Sequence, residues 1–475
     1  MADIRKLVSI DAAGTVTVIK DLEVAGSYQA VRDSFQVKAP DRQTSWSGPS
    51  RRYAGRVAVN EAHENAVISW KVLVSGATAD ACLQNIEAMV AQIEPLYSPG
   101  LFIEWRPDGA TNSTYFDVRG PAKWQTEYSW AQFTGARSML VSVEVPVAPL
   151  ARGATSTQSV SSFTAPNVVQ LPTAIPGTAP AQVSVTVNKA SGGQGPAFAL
   201  LAWWPRLPTP PGGYQPIFTI MEAESGTSLS GWATGSDATA RGGSKLTKNT
   251  SGAGTASATF KVHTGGISAP TVDVEVWARI YLATSVVAPR VVVSMTTDGA
   301  TGSVLRTSEW GSLGRPLPVP SAAGWRLVRL GTITVPVTNV SGQWKMTLDG
   351  VWGAGSFGLF DVDWLMMVPA ATRACSPGGE PLDAAYPRFM PIGTGTMAKR
   401  VSWDLTGAGL TSGVYAPDTG LGGAAIEMQP GTIDMAVLLS DQVADEPTSG
   451  NAMSKEWTST TLDLTVVSRY WLARA

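Results

Sequence analysis

The chain reads as a mostly β protein, and three observations predict it. Charged residues occupy only 15% of the 475 positions, while Gly (48) and Pro (32) are plentiful. Val, Thr, Ser and Trp dominate the segments between those punctuating residues, and these types fit a pleated, half-buried surface. Many segments also alternate apolar and polar residues, the period of a strand with one face buried. The length allows about three domains, each able to bury its own core.

Residues 1–150 carry the strands "GTVTVIKDLEV", "AVISWKVLVSG", "LFIEWRPDGATNSTYFDVRG" and "MLVSVEVPVAP", the third with a turn at Pro107, Asp108 and Gly109. Between them the period changes. Leu83, Ile86, Val90 and Ile93 recur every three or four residues, Thr78 stands at an N-cap position and Pro95 closes the run, so one helix is expected to pack on the sandwich. Residues 151–180 are rich in Ser, Thr, Ala and Pro with little periodicity and read as a linker entering a first strand, "AQVSVTVNKA". Dense Pro/Gly punctuation near 215 and again near 371–388 brackets a block at 216–370. Inside it come "GTASATFKV", "TVDVEVWARIYL", "PRVVVSMTTDG", "GWRLVRLGTITVPV", "GQWKMTLDG" and "GLFDVDWLMMV", the strand count of a jelly roll. More strands follow, ending with "STTLDLTVVSRYW".

With 35 basic and 37 acidic residues the formal charge is −2, and the one compact basic cluster, Arg51, Arg52 and Arg56, is small. No specific nucleic-acid binding is expected. The opening "MADIRKLVSIDAAG" has no apolar h-region and no apolar run is long enough to span a bilayer, so the expectation is a soluble chain with no membrane partner, not secreted by its own signal. Cys82 and Cys375 lie far apart and have no metal-ligand spacing. His63 and His263 are the only histidines, and neither Gly-x-Ser-x-Gly nor His-Glu-x-x-His occurs. "GTGTMAK" and "GAGLTSG" are glycine turns without a P-loop or Rossmann setting. The expectation is therefore a protein that is not an enzyme, a glycosidase built from acids of distant strands such as Asp349, Asp361 or Asp404 being the minority reading.

Glu222 and Glu224, in "MEAES", are two positions apart. On one strand they point to the same face, about 6.5–7 Å apart at Cα. A glycosidase needs its two carboxylates on opposite sides of the scissile bond, which neighbours on one strand do not provide. A hard cation such as Ca²⁺ collects six to eight oxygens and suits that geometry better; an ordinary solvated strand face is the other reading.

The block at 216–370 resembles carbohydrate-binding modules of families 6 and 35. The resemblance rests on "MEAES", "AAGWRLVRLGTITVPV" and "FDVDWLMMV", which match an opening Glu-Ala-Glu strand, a Gly-Trp pair and a closing Asp-aromatic-aliphatic strand. It implies a structural Ca²⁺ held by Glu222, Glu224 and Asp363. It also implies a cleft in which Trp277 or Tyr281 supplies one aromatic and Asp361 stands at a polar amide position, while the second aromatic falls on Val328. Trp232, Trp310 and Trp352 lie in Gly-rich loops and are candidates to stack on sugar instead. Trp325, Trp344 and Trp364 lie in strands and read as core.

The first 150 residues resemble the N-terminal domain of distal or minor tail proteins of long-tailed, siphovirus-type bacteriophages, on the strand-turn-helix segment "YAGRVAVNEAHENAVISWKVLVSGATADACLQNIEAMVAQIEPLY" followed by "LFIEWRPDG" and "VEVPVAP". "IPGTAPAQVSVTVNKASG" and "TTLDLTVVSRYW" look like the first and last parts of the galectin-like sandwich of such proteins, especially from phages of actinobacteria. The resemblance implies a tail-tube-like sandwich with one helix, then a galectin-like sandwich split between 165–215 and 380–475 with the jelly roll inserted; three consecutive domains are the alternative. It further implies a homo-oligomeric ring at the virion tail tip, a hexamer, that joins tail tube to baseplate, with outward sandwiches able to meet host cell-wall polysaccharide. The competing reading is a free bacterial carbohydrate-binding protein or the accessory module of a polysaccharide-degrading enzyme.

Overall fold

The structure, a computed structural model, describes residues 4–11, 14–21, 27–31, 34–38, 42–46, 58–63, 65–93, 101–107, 110–126, 137–189, 198–267, 271–298, 304–306, 317, 323–337, 342–369, 374–375, 401–404, 412–415, 427–440 and 457–470. These residues are mostly strand, arranged in antiparallel sheets, with a single α-helix among them. No helix is long and apolar enough to cross a membrane among the described residues.

The chain divides into two compact units, one of Met1–Ser156, Pro176–Gln182 and Val466–Ala475, the other of Thr157–Ile175 and Val183–Thr465. In the first, one sheet runs Val16–Asp21, Ile4–Ile10, Leu101–Arg106, Thr114–Asp117 in neighbour order; another runs Lys123–Thr126, Ser138–Val147, Ala66–Ser75, Tyr28–Ala30. Ser138–Val147 and Ala66–Ser75 pair along ten residues, from Ser138↔Ser75 to Val147↔Ala66. Their alternation puts Ile68, Trp70, Val72 and Val74 beside Val141, Val143 and Val145 in a core shared with Leu7, Ile103 and Phe116 of the other sheet. The turn after Leu101–Arg106 is closed by Ala110 N–H donating to Pro107 O at 3.0 Å.

The helix spans Ala79–Ile93. Thr78 caps it, its Oγ1 accepting the Ala81 N–H at 3.1 Å, as its position before the periodic run predicts. Cys82, Ile86 and Met89 face the core, with Leu83 and Val90 partly buried at its rim. Cys82 is a free, buried thiol.

The stretch read as a linker is instead a strand, Ala151–Ala165, followed by Asn167–Gln170. Its sequence hides this because its buried positions, Ala151, Gly153, Gln158, Phe163 and Ala165, keep no strict alternation and one is polar: Gln158 Oε1 accepts the Thr173 N–H at 3.1 Å. Hydrogen bonds to backbone replace the apolar alternation on which pattern reading depends.

In the second unit Phe198–Pro205 pairs with Ile433–Ser440 along its whole length, from Phe198↔Ser440 to Pro205↔Ile433. The chain between them therefore leaves and re-enters one sheet at one place. That excursion contains two six-stranded sheets among the described residues. The first is built on Gly254–His263, Gln343–Trp352 and Arg290–Thr297. The second runs Ala233–Ser236, Ser244–Ser251, Phe357–Pro369, Thr271–Leu282, Gly324–Pro336, with the opening strand Thr219–Glu222 against Phe357–Pro369. Opening and closing strands thus lie side by side, Thr219 opposite Met367 and Glu222 opposite Trp364. One buried cluster joins the two sheets and continues onto Leu200, Ala202, Trp204, Ala436 and Leu438 of the re-entrant sheet, with the Trp204 and Phe218 rings 5.2 Å apart.

Candidate functional site

Strand register brings polar and aromatic residues into one row across the second jelly-roll sheet. Thr247 is opposite Asp361, Asp361 opposite Tyr281, and Tyr281 opposite Trp325, so four adjacent strands present them on one face. Thr247 Oγ1 donates to Asp361 Oδ1 at 2.6 Å. Lys245, two residues before Thr247 and on the same face, places its Nζ 2.9 Å from Asp361 Oδ2 and 2.8 Å from Asp237 Oδ2. The same ammonium lies 5.3 Å from the centre of the Trp325 ring and 5.8 Å from that of Tyr281, and the two rings meet edge to face at 5.7 Å. Burial works against the charge of Asp237, but hydrogen bonds from Lys245 and Thr239 outweigh it and hold the carboxyl down at about 2. Burial likewise opposes the Lys245 charge, and the two carboxylates more than compensate, raising its pKa.

This arrangement offers a partly buried tyrosine ring flanked by fixed donors and acceptors, which suits recognition of a hydroxyl-bearing ligand better than proton transfer. Asp349 stands on the other sheet, accepting Ser257 Oγ at 2.5 Å, and so does not converge with Asp361. The side chain of Asp404 lies outside the described residues. His263 accepts the Gly265 N–H at 2.9 Å through Nδ1 and so serves a turn.

Of the residues the sequence nominated for sugar, Tyr281 and Asp361 come together and the tryptophans do not. Trp277 is fully buried and donates its indole N–H to Glu275 at 2.6 Å. Trp232 and Trp352 are 7% and 4% exposed, each edge-to-face against Phe360 at 5.6 and 6.2 Å. They are core and have no face free for a ligand. The physical reason lies in the glycines: a Cβ on Gly350 would fall 2.6 Å from the Trp232 ring, and one on Gly254 would fall 2.8 Å from the Trp352 ring. Glycine in those strands makes room for an indole from the opposite side. Trp310 lies outside the described residues, and Val328 is buried. Lys245 and Asp237, which the sequence did not nominate, lie beside this row, and Trp325 is core as its strand position predicts; the alternation of Lys245 and Thr247 in "SKLTKNTS" is the signal that places Lys245 on the face.

The calcium expected at Glu222, Glu224 and Asp363 was tested against the donors. The two glutamates do not share a strand: the opening strand ends at Glu222, and Ala223–Ser225 is a 3₁₀ turn that carries Glu224 off the strand face. Both Asp363 oxygens accept the Arg241 N–H, at 2.9 and 3.1 Å, and Oδ2 also accepts Arg279 Nη1 at 2.7 Å. Glu222 Oε1 accepts Arg241 Nη1 at 2.5 Å. Glu222 Oε2 and Glu224 Oε2 are buried atoms that lack a hydrogen-bond partner. Among the described residues no three His, Cys, Asp or Glu side chains converge so as to hold a metal ion. The residues as folded do not fit Ca²⁺, because arginine already occupies the acceptors of two of the three carboxylates.

No family model and no curated protein matches this chain. Among solved structures it is similar to a family 6 carbohydrate-binding module from Clostridium cellulolyticum in complex with xylose, at 18% identity over 32% of this chain and 98% of that one, TM-score 0.20. It is similar to the SPP1 Dit protein at 9% identity over 76% of this chain and 98% of that one, TM-score 0.24. It is also similar to a chain of the phage P2 baseplate in its activated conformation with Ca, at 10% identity over 75% of this chain and 100% of that one, TM-score 0.22. At these identities and TM-scores the likenesses carry no argument about function.

Proposed function

We propose that the chain is a distal or minor tail protein of a long-tailed bacteriophage, of the kind that infects actinobacteria. In this reading it forms a ring of identical copies, six by resemblance, between tail tube and baseplate, holds no catalytic centre, and turns its later sandwiches toward host cell-wall polysaccharide. The observation that carries the reading is the re-entrant sheet. The residue-for-residue pairing of Phe198–Pro205 with Ile433–Ser440 supports reading the jelly roll as an insertion in a second sandwich that follows a first sandwich bearing one helix. That order is the one implied by the tail-protein motifs in the sequence. An insertion whose ends meet at one place is presented without disturbing its frame.

Tyr281, with Thr247 and Lys245 beside it, is the proposed glycan contact, and Asp361 and Trp325, themselves buried, hold these groups in place. A single such contact is weak, and a ring of copies turns later contacts into local ones at high effective concentration. Electron microscopy of the purified full-length protein, with its mass in solution, tests the assembly: closed rings with a channel are expected. A monomeric mass that persists when tail-tube protein is added refutes it. For the glycan face, Tyr281→Ala, assayed well below its own Tm because the lost ring packs on Trp325, is expected to reduce retention on host-wall polysaccharide; retention equal to wild type refutes that assignment and leaves the ring untouched.

A further inference from the structure

We propose that Arg241 and Arg279 do in this jelly roll the work of a structural cation, stapling its opening strand, the loop at 237–243 and its closing strand, so that the block folds and stays folded without a divalent metal. Asp363 sits on the closing strand with a fully buried side chain, and Arg279, from the adjacent strand Thr271–Leu282, is 2% exposed and 2.7 Å away. The same Arg279 Nη1 donates to Thr239 O at 2.5 Å, so one guanidinium binds the closing strand to the loop. Arg241, in that loop, donates its backbone N–H to both oxygens of Asp363 and its Nη1 to Glu222 on the opening strand. Gly242, at φ +69, makes the turn that sets this loop over the carboxylates; its Cβ position lies 3.6 Å from Glu222 Cδ. Two arginines therefore tie together three segments that are distant in sequence.

The electrostatics point the same way. A Ca²⁺ shell needs six to eight oxygens, and the acceptors of Asp363 and Thr239 are already directed at N–H groups. An ion approaching Asp363 would also face two guanidinium charges in a desolvated site, where like-charge repulsion is least screened. Glu222 Oε2 and Glu224 Oε2, the two buried carboxylate oxygens here without a hydrogen-bond partner, are too few to replace a hydration shell.

The test is thermal unfolding of the full-length protein in EDTA and in millimolar CaCl₂, read locally by hydrogen exchange of peptides covering 219–244 and 357–369. Protection and Tm are expected to agree between the two conditions to within about 1 °C, since a ligand that does not bind the native state leaves Tm unmoved. Arg241→Ala, which removes the guanidinium from Glu222 and keeps the backbone N–H bonds to Asp363, is expected to speed exchange in the 219–244 peptides, in EDTA and in calcium alike. Arg279→Met alone is expected to cost more, and Arg279→Met with Asp363→Leu to recover part of the loss, because the pair is then replaced by apolar groups rather than broken. A calcium-dependent rise in Tm or protection that Glu222→Gln abolishes would overturn the proposal. So would exchange in Arg241→Ala that is unchanged from wild type. The wild-type comparison stands even where Arg279→Met does not fold.

Discussion

Gly350→Ala should measure whether Trp232 is core. The Cβ it adds would lie 2.6 Å from Trp232 Cζ2, 2.9 Å from Cη2 and 3.4 Å from Phe360 Cε1. Carbon atoms rest about 3.5–4.0 Å apart, so the indole has to retreat by about 1 Å. It cannot do so freely, because Phe360, fully buried, stands edge-on at 5.6 Å. Overpacking of this kind costs about 1–3 kcal/mol, on the order of 5 °C in Tm for a block of this size. Urea unfolding of Gly350→Ala, Trp232→Leu and the double variant reads it out. The expected result is a loss in Gly350→Ala that largely vanishes in the Trp232→Leu background, with unchanged m. A loss below about 0.5 kcal/mol, or one equally large in both backgrounds, would show that the indole is not packed against Gly350 and would return Trp232 to the candidates for ligand contact.

Lys245→Met removes the partner of Asp361, whose side chain is fully buried, and should cost about 3 kcal/mol by leaving that charge uncompensated; Asp361→Asn added to it should restore part, and thermal melts of both decide. Thr78→Ala removes the oxygen that accepts the Ala81 N–H and should destabilise the helix end by about 1 kcal/mol, visible as faster amide exchange at residues 79–82 only. The pH dependence has an unusual sign. Burial raises Asp363 from 3.8 to about 6 against the pull of Arg279, so between those values the folded chain binds more protons than the unfolded one. Its contribution to stability therefore falls as pH rises from about 4 to 6, by about 3 kcal/mol over the window. Glu222 and Glu224, also raised by burial, act in the same direction. Urea midpoints of wild type and Asp363→Asn across that range check this; a slope that the substitution leaves intact contradicts it.

Much of the fold was legible. "TVDVEVWARIYL" is the strand Thr271–Leu282 residue for residue, and the helix begins where Thr78 placed it. These are segments where one periodicity and one set of end signals agree. Ala151–Ala165 was not legible, because its buried positions are irregularly spaced and one of them holds Gln158, whose side chain accepts a backbone N–H. The family motifs nominate Tyr281 and Asp361, and register places them side by side. Lys245 reaches the same face through the alternation of "SKLTKNTS", whereas Asp237 reaches it through a loop, which no local pattern encodes. Trp232 and Trp352 are buried for a related reason: Gly-rich surroundings suggested exposure, yet Gly254 and Gly350 belong to strands and yield their side-chain space to the two indoles.

The charged face of the second jelly-roll sheet carries a conflict that bears on function. Asp361, Asp363, Glu275, Arg279 and Arg329 are all nearly or fully buried, in a chain only 15% charged. Arg329 Nε lies 3.1 Å from Glu275 Oε2, and Arg279 and Lys245 meet the two aspartates, so each charge has an opposite neighbour. Such pairs contribute little net stability compared with apolar residues of the same volume, and losing one member costs far more than the pair gains. What they do provide is fixed geometry. Lys245, held by two carboxylates and two rings, is fixed beside Tyr281, the partly buried residue of that face proposed to meet a ligand. A neutral face would tolerate movement there, whereas a paired one cannot shift by an ångström without exposing a charge to an unmatched environment. The cost of burying these pairs is thus consistent with a surface built to hold a few polar groups in register, while the stability of the block comes from the apolar cluster behind it.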